Sequence, residues 1–336
     1  MKRKIILILL CFALFSVTGC SKTQTPEIPD GKTEAVSAEE PLSEEPASEE
    51  PASEEPASEE PASEKPSFSE AVISYLGPEG TYTQEACNKF FGGEGTCVPY
   101  KTVDDTIAAL INKETDYAVI PQENTIGGAV IDYVDAVIKN TQVSVVGEVE
   151  LPINQNLLVL PETELSDIKT VYSHKQGIAQ GKEFLERELP EAEVIEVSST
   201  AEGAKMVSES KDKSLAAIAS AGCADVYGLK ILSANIQNND KNKTRFYVLS
   251  LENAGTDSKE RLAFVASGSA KDLPKLMSNI ESDGAELVTV HDRPQKTELG
   301  SYNYLIECAD CSYEAYEHIT KTEGFEYRFL GCFDSY

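Results

Sequence analysis

Histidine is scarce in this chain, with three residues in 336, and the eight cysteines do not make up for it. Cys308 and Cys311 form one close pair with no second pair to complete a zinc pattern, so no metal site is assigned. Positive charge is also scarce: 29 Lys and Arg stand against 57 Asp and Glu, a net of −28. Residues 21–70 hold 15 acidic and 3 basic residues and the leader adds three positive charges, which leaves −19 for residues 71–336. That sign disfavours nucleic-acid binding through phosphate contacts. Long apolar runs are missing except for Ile5 to Val17, which is too short for a comfortable transmembrane span.

That single run has a clear setting. Lys2-Arg3-Lys4 precedes it and Val17-Thr18-Gly19-Cys20 closes it, the layout of a secretory signal with a small-residue cleavage site. The closing residues resemble a bacterial lipobox, which implies that Cys20 is lipidated and anchors an exported protein to a membrane. An uncleaved anchor is the alternative, and either places the body outside the cytoplasm. Residues 21–70 are rich in Pro, Ala, Ser and Glu, with five successive pentapeptides such as Pro46-Ala47-Ser48-Glu49-Glu50. With little apolar surface to bury and like charges that repel, this segment reads as a disordered, extended tether.

The remaining 266 residues suffice for two or three compact domains. Six cysteines lie there. In an exported protein their even count permits disulfides, with Cys308, Cys311 and Cys332 close in sequence, and buried free thiols are the other reading. From 71 to 252 short apolar strands alternate with helical segments, the pattern of βαβ units and a parallel sheet. Strands are expected at Val72–Leu76, Tyr117–Pro121, Val143–Val149, Leu157–Leu160, Ile168–Tyr172, Val194–Val197 and Ala216–Ala219. Helices are expected at Gln84–Phe91, Thr102–Asn112, Ile131–Ile138 and Ile178–Glu188. From 260 to 336 the order becomes βαββαβ, a small ferredoxin-like module suited to ligand sensing or to forming a homodimer.

Polar loops follow several strands. They are Gly77 to Thr83, Gln122 to Gly128, Ser173-His174-Lys175-Gln176 and Ser198-Ser199-Thr200. In open α/β sheets ligands bind at the carboxyl ends of the strands, so these loops converge on one pocket. Helix starts there supply unpaired N–H groups for an anion. Thr83 also reads as a simple helix cap, and His174 as a cap or loop residue as well as a pocket residue. Asn242-Lys243-Thr244-Arg245-Phe246 runs into the β-rich Tyr247–Leu251. It joins a hydroxyl, a guanidinium fork and an aromatic at the start of a strand that can hold them rigidly, although alone it is also a polar turn.

Taken together, these motifs resemble prephenate dehydratase. The resemblance rests on Gly77–Thr81, Pro121–Thr125 with Gly128 and Val130, Ser173–Gln176, Ser199–Ala201, Ala217-Ile218 with Tyr227–Leu229, and Asn242–Phe246, in that order and spacing. It covers residues 72–336, and the C-terminal βαββαβ resembles the ACT domain of that family. The resemblance implies a two-lobed, periplasmic-binding-protein-like (type II) α/β catalytic part over 71–252, an ACT domain over 260–336, and no metal or organic cofactor. The implied reaction removes water and carbon dioxide from prephenate to give phenylpyruvate. Thr244 matches the catalytic threonine, with Arg245 and Phe246 beside it. Thr81, Glu123, Asn124, Thr125, Ser173, His174, Gln176 and Thr200 are the implied substrate-binding residues. His291-Asp292-Arg293-Pro294 stands where the family has its effector motif Glu-Ser-Arg-Pro, which makes phenylalanine the candidate effector. Asn154-Gln155-Asn156 stands where the family often has a histidine before Leu-Leu.

A threonine hydroxyl is too weak an acid to protonate a leaving group outright. Its expected role is a hydrogen bond that strengthens as the leaving oxygen gains charge. The competing reading, favoured by export and tethering, is a lipoprotein that binds a small carboxylate or aromatic amino acid in the same cleft without turnover.

Overall fold

A computed structural model describes residues 67–336. The leader, Cys20 and the tether through residue 66 lie outside the described residues. The tether was expected to reach residue 70, but the packed part begins earlier. Phe68 stacks edge-on against Phe91 at 4.9 Å and against Tyr117 at 5.8 Å, so its ring is anchored in an aromatic cluster.

Three sheets organise the described chain. The first holds β1 (Val72–Leu76), β2 (Thr96–Tyr100), β3 (Tyr117–Asn124), the two-residue β4 (Gly128–Ala129), β5 (Ser144–Pro152) and β11 (Lys243–Ser250), in the order β2-β1-β3-β11-β5 with β4 on β3. Its helices are α1 (Tyr82–Phe90), α2 (Val103–Ile111) and α3 (Ile131–Lys139). The second sheet is β10-β6-β9-β7-β8, built from β6 (Asn156–Val159), β7 (Thr170–Ser173), β8 (Glu193–Glu196), β9 (Leu215–Ala219) and β10 (Lys230–Ser233). Helices α4 (Lys175–Gln180), α5 (Lys182–Glu188), α6 (Thr200–Ser210) and α7 (Ala221–Tyr227) accompany it.

Neither sheet is all-parallel, which corrects the expectation from the alternating pattern. β11 returns from the second lobe and runs antiparallel between β3 and β5, and β6 is antiparallel to β9. The chain therefore crosses between lobes twice, before β6 and before β11, and the cleft lies at those crossings. The helix expected over Ile178–Glu188 is divided at Gly181, where an added Cβ would meet Ile218 Cδ1 at 2.9 Å. The strand expected to end at Pro121 continues to Asn124 because β11 and β4 pair with its polar end.

The C-terminal module has the expected βαββαβ order: β12 (Arg261–Ser269), α8 (Leu273–Ser282), β13 (Glu286–Pro294), β14 (Ser301–Ala309), α9 (Tyr313–Ile319) and β15 (Phe325–Phe333). Its antiparallel sheet runs β13-β14-β12-β15. One face covers α8 and α9. The other shares a core with the first lobe: Val265, Leu305, Leu330 and Phe333 of the module cluster with Ile120, Val145, Tyr247 and Leu249. Each such buried side chain is worth about 1.5–3 kcal/mol, so the module is fused to the first lobe by packing. Gly331 permits the closest approach, because a Cβ there would sit 2.2 Å from the Val145 carbonyl. Beyond it, Glu148 and Glu150 donate backbone hydrogen bonds to Asp334 and Tyr336, so the C-terminal segment borders β5.

The six cysteines of the described residues are free thiols, five of them buried.

Candidate active site

The cleft between the two lobes has a volume near 580 Å³. From the first lobe it receives the end of β1, the start of α1 and the polar ends of β3 and β11. From the second it receives the loops that open α4 and α6. The lobes meet at its rim, where Ser220 Oγ and Tyr227 Oη donate to the carbonyls of Gly80 and Glu79, both at 2.8 Å. Tyr82 Oη likewise donates to the Asn154 carbonyl at 2.5 Å.

Thr244 and Phe246 lie two residues apart on β11, and strand alternation turns both toward the cleft. Across the ladder they face Asn124 and Pro121, which also line it. The register slips between those two pairs, a β-bulge in which Gln122 is the extra residue on β3. Such bulges re-aim side chains next to active sites. Here the bulge lets Pro121 and Asn124 share one face while Gln122 and Glu123 turn to the other.

Asn124 orients Thr244. The Asn124 Oδ1 accepts from the backbone N–H groups of Ile126 and Gly127, at 3.0 and 2.8 Å. That fixes the amide, whose Nδ2 donates to Asn242 Oδ1 at 2.8 Å, to the Lys243 carbonyl at 3.1 Å and to Thr244 Oγ1 at 2.9 Å. Thr244 thus spends a lone pair on Asn124, and its own O–H remains for the cleft. His174 caps α4, its Nδ1 accepting from Gln176 N at 3.3 Å, which leaves Nε2 as the N–H. Burial, with Lys175 adding to it, holds His174 below its ordinary pKa, so at neutral pH the ring is uncharged.

Of the residues picked from sequence, Thr81, Asn124, His174, Gln176, Thr200, Thr244 and Phe246 line the cleft. The others do not. Ser173 is fully buried, and its Oγ donates to the Ile218 carbonyl at 2.7 Å. Thr125 donates to the Lys243 carbonyl at 3.1 Å and fastens its loop to β11.

Arg245 corrects the sequence reading most. It sits on the opposite face of β11 and bonds Glu123 at 2.8 Å, Glu148 at 3.0 Å and Glu307 of the C-terminal module at 2.6 Å. Glu123 is therefore its ion-pair partner. Glu307 also accepts from Gln122 at 2.7 Å and from Tyr247 Oη at 2.5 Å, and Arg261 stands 3.5 Å away. The effector motif has a similar placement. His291 packs edge-on to Tyr133, and Arg293 holds Asp135 of α3 at 2.5 and 2.8 Å, so this stretch of β13 docks on the first lobe.

Sequence reasoning missed Lys101 and Gln180, which line the cleft together with Ser198 and Gln155, named in the sequence only as parts of a loop and a motif. Gln155 occupies the stretch where the resembled family often has a histidine. Its Nε2 donates to Gln180 at 2.8 Å while its Oε1 is buried without a partner. Among the described residues, Lys101 is the one Lys or Arg that lines the cleft and no Asp or Glu does, which suits an anionic ligand.

Comparison with known proteins agrees with this geometry. Residues 73–254 match the prephenate dehydratase family model. A prephenate dehydratase from Bacillus subtilis is 31% identical over 285 residues, covering 79% of this chain and 99% of its own. A bifunctional chorismate mutase/prephenate dehydratase from Neisseria gonorrhoeae is 36% identical over 237 residues. That match covers 70% of this chain and 65% of the relative, so the chain spans just under two thirds of the bifunctional protein. The crystal structure of prephenate dehydratase from Arthrobacter aurescens in complex with L-Phe superposes with a TM-score of 0.70 at 27% identity, covering 78% of this chain and 90% of that one. The chain belongs to the prephenate dehydratase family.

Proposed function

We propose that this protein converts prephenate to phenylpyruvate, the dehydratase step of phenylalanine biosynthesis, in the cleft around Thr244. The observation that carries this reading is the Asn124-to-Thr244 hydrogen bond, which leaves the threonine O–H free to donate into a pocket lined by one cation and no carboxylate. The bond from the ring to the departing carboxylate supplies the electron pair that makes the ring aromatic and expels the hydroxyl at the opposite carbon. The expelled oxygen gains negative charge as its bond breaks, and a donor held at that point stabilises the transition state more than the ground state. Water supplies the proton that completes the departing water molecule, and carbon dioxide leaves from the other end. Phe246 closes the pocket floor at 2% exposure and limits water there.

Incubating the full chain with prephenate and following phenylpyruvate absorbance tests the reading. Turnover supports it. Tight prephenate binding without product would establish instead a binding protein built on the same cleft.

The same proposal extends to regulation and location. The module's cavity, near 640 Å³ and lined by Ser267, Gln295, Asn303 and Glu326 among others, is a candidate phenylalanine site. The Arthrobacter relative is in complex with L-Phe, which supports phenylalanine as a ligand of this family. Inhibition of turnover by phenylalanine checks it. β13 is a sheet edge with Leu287 44% exposed, which supports a homodimer through the module, to be read by sedimentation. The leader and Cys20 support an exported protein held to the membrane by lipid. Loss of the protein from the membrane fraction on Cys20→Ser would check that.

A further inference from the structure

We propose that Lys101 grips the carboxylate of the substrate's keto-acid side chain and so sets which anions the cleft accepts. This inference rests on the dehydratase reading above and assigns the far end of the same site.

Lys101 lies between the end of β2 and Thr102, the residue that caps α2. It lines the main cleft and also an adjoining cavity of about 560 Å³. The lysine ion pairs among the described residues belong to Lys182, Lys205, Lys213 and Lys243, so Lys101 is uncommitted there. The acid nearest in the lining is Glu202 of the adjoining cavity, whose carboxylate already accepts from Ser198 Oγ. With His174 uncharged, Lys101 supplies the cleft's positive charge, and a dianionic substrate needs a cation.

The sheet order sets the distance. β2 and β11 are separated by β1 and β3, three inter-strand steps of about 4.8 Å, and the registers set Lys101 level with Phe246, two residues of about 3.4 Å from Thr244 along the strand, about 16 Å in all. A lysine stem spans about 6 Å, leaving about 10 Å to Thr244, room for a substrate and the hydrogen bonds at its ends. In prephenate the leaving hydroxyl and the side-chain carboxylate stand at opposite ends of the molecule, about 8 Å apart by ordinary bond lengths. A substrate with its hydroxyl at Thr244 therefore brings its keto-acid carboxylate to Lys101.

The ring carboxylate is the poorer partner. Its charge flows into the ring as carbon dioxide departs, so a cation bound to it would hold the ground state more tightly than the transition state. The side-chain carboxylate keeps its charge throughout and carries it into phenylpyruvate. Lys101 then contributes equally to ground state, transition state and product, which appears in KM and not in kcat.

The test uses the full chain and its Lys101→Met and Lys101→Arg variants, with steady-state kinetics on prephenate and calorimetric titration with phenylpyruvate. In Lys101→Met the KM for prephenate rises about tenfold with kcat within about twofold, and phenylpyruvate affinity falls by a matching factor. Lys101→Arg recovers most of both. An unchanged KM in Lys101→Met, or a raised KM with unchanged phenylpyruvate affinity, overturns the assignment. So does a fall in kcat alone. If the wild type gives no turnover, the dehydratase reading fails by itself, and the phenylpyruvate titration still decides the role of Lys101.

Discussion

Asn124 and Thr244 sit opposite each other on β3 and β11, and the amide of the first donates to the hydroxyl of the second at 2.9 Å. The direction of that bond decides what Thr244 can do. Because the amide oxygen is occupied by two backbone N–H groups, Asn124 can only donate to Thr244, and the threonine hydrogen is left for a ligand.

Asn124→Asp should therefore invert the bond. The carboxylate would accept the Thr244 O–H and turn its hydrogen away from the cleft, while retaining the two loop contacts. The expected result is a kcat loss of roughly 10²-fold or more, together with a lowered unfolding midpoint, because the carboxylate can no longer donate to Asn242 Oδ1 and the Lys243 carbonyl. Steady-state rates and a denaturant melt on one preparation check both halves.

Removing Arg245 should act on stability. It is the centre of a buried cluster with three carboxylates, and truncation to Met leaves Glu148 and Glu307, at 1% and 0% side-chain exposure, with only the more distant Arg261, at 3.6 and 3.5 Å, as a cation among the described residues. The expected cost is about 3–5 kcal/mol in chemical denaturation. A stable Arg245→Met variant with abolished turnover would instead return Arg245 to direct catalysis.

The same cluster gives a pH dependence. Burial, then the charge of Glu307, push Glu148 up from its ordinary 4.5 to about 7, against the pull of Arg245. The folded state therefore holds a proton between about pH 4.5 and 7 that the unfolded state has released, and stability contributed by this group falls as pH rises through that window. The unfolding midpoint measured from pH 5 to 8 should decline for the wild type. It should decline less for Glu148→Gln, which is always neutral.

Gly331→Ala should loosen the C-terminal module from the first lobe, since the new methyl would lie 2.2 Å from the Val145 carbonyl at a backbone φ of 153°. A loss of several kcal/mol, with faster hydrogen exchange along β5 and β15, is the expected signature.

Much of the site was legible in sequence because the polar loops follow strands and strand ends converge. Thr244, Phe246, Asn124, His174 and Gln176 reach the cleft for that reason. What sequence could not show is the face each side chain takes. Arg245 follows Thr244 by one residue, and period-two alternation alone sends it to the opposite side. Glu123 turns away from Asn124 by the same alternation, and Gln122 joins it on that face because of the bulge in β3, which no residue type announces. Strands β2 and β10 were not foreseen: β2 carries Pro99 and leaves no residue fully buried, and β10 is a four-residue edge. The parallel-sheet expectation failed because the alternating pattern carries no information on where β11 inserts. Lys101 went unremarked because a lysine before a helix cap reads as an ordinary surface residue until the cleft is drawn around it.

The most direct test is the rate of phenylpyruvate formation from prephenate by the full chain and by Thr244→Val, which keeps the shape of the side chain and removes its donor. The account predicts turnover by the wild type and a fall in kcat of about 10²–10⁴-fold in the variant, with KM nearly unchanged and the fold intact. Equal turnover by the two proteins would contradict it.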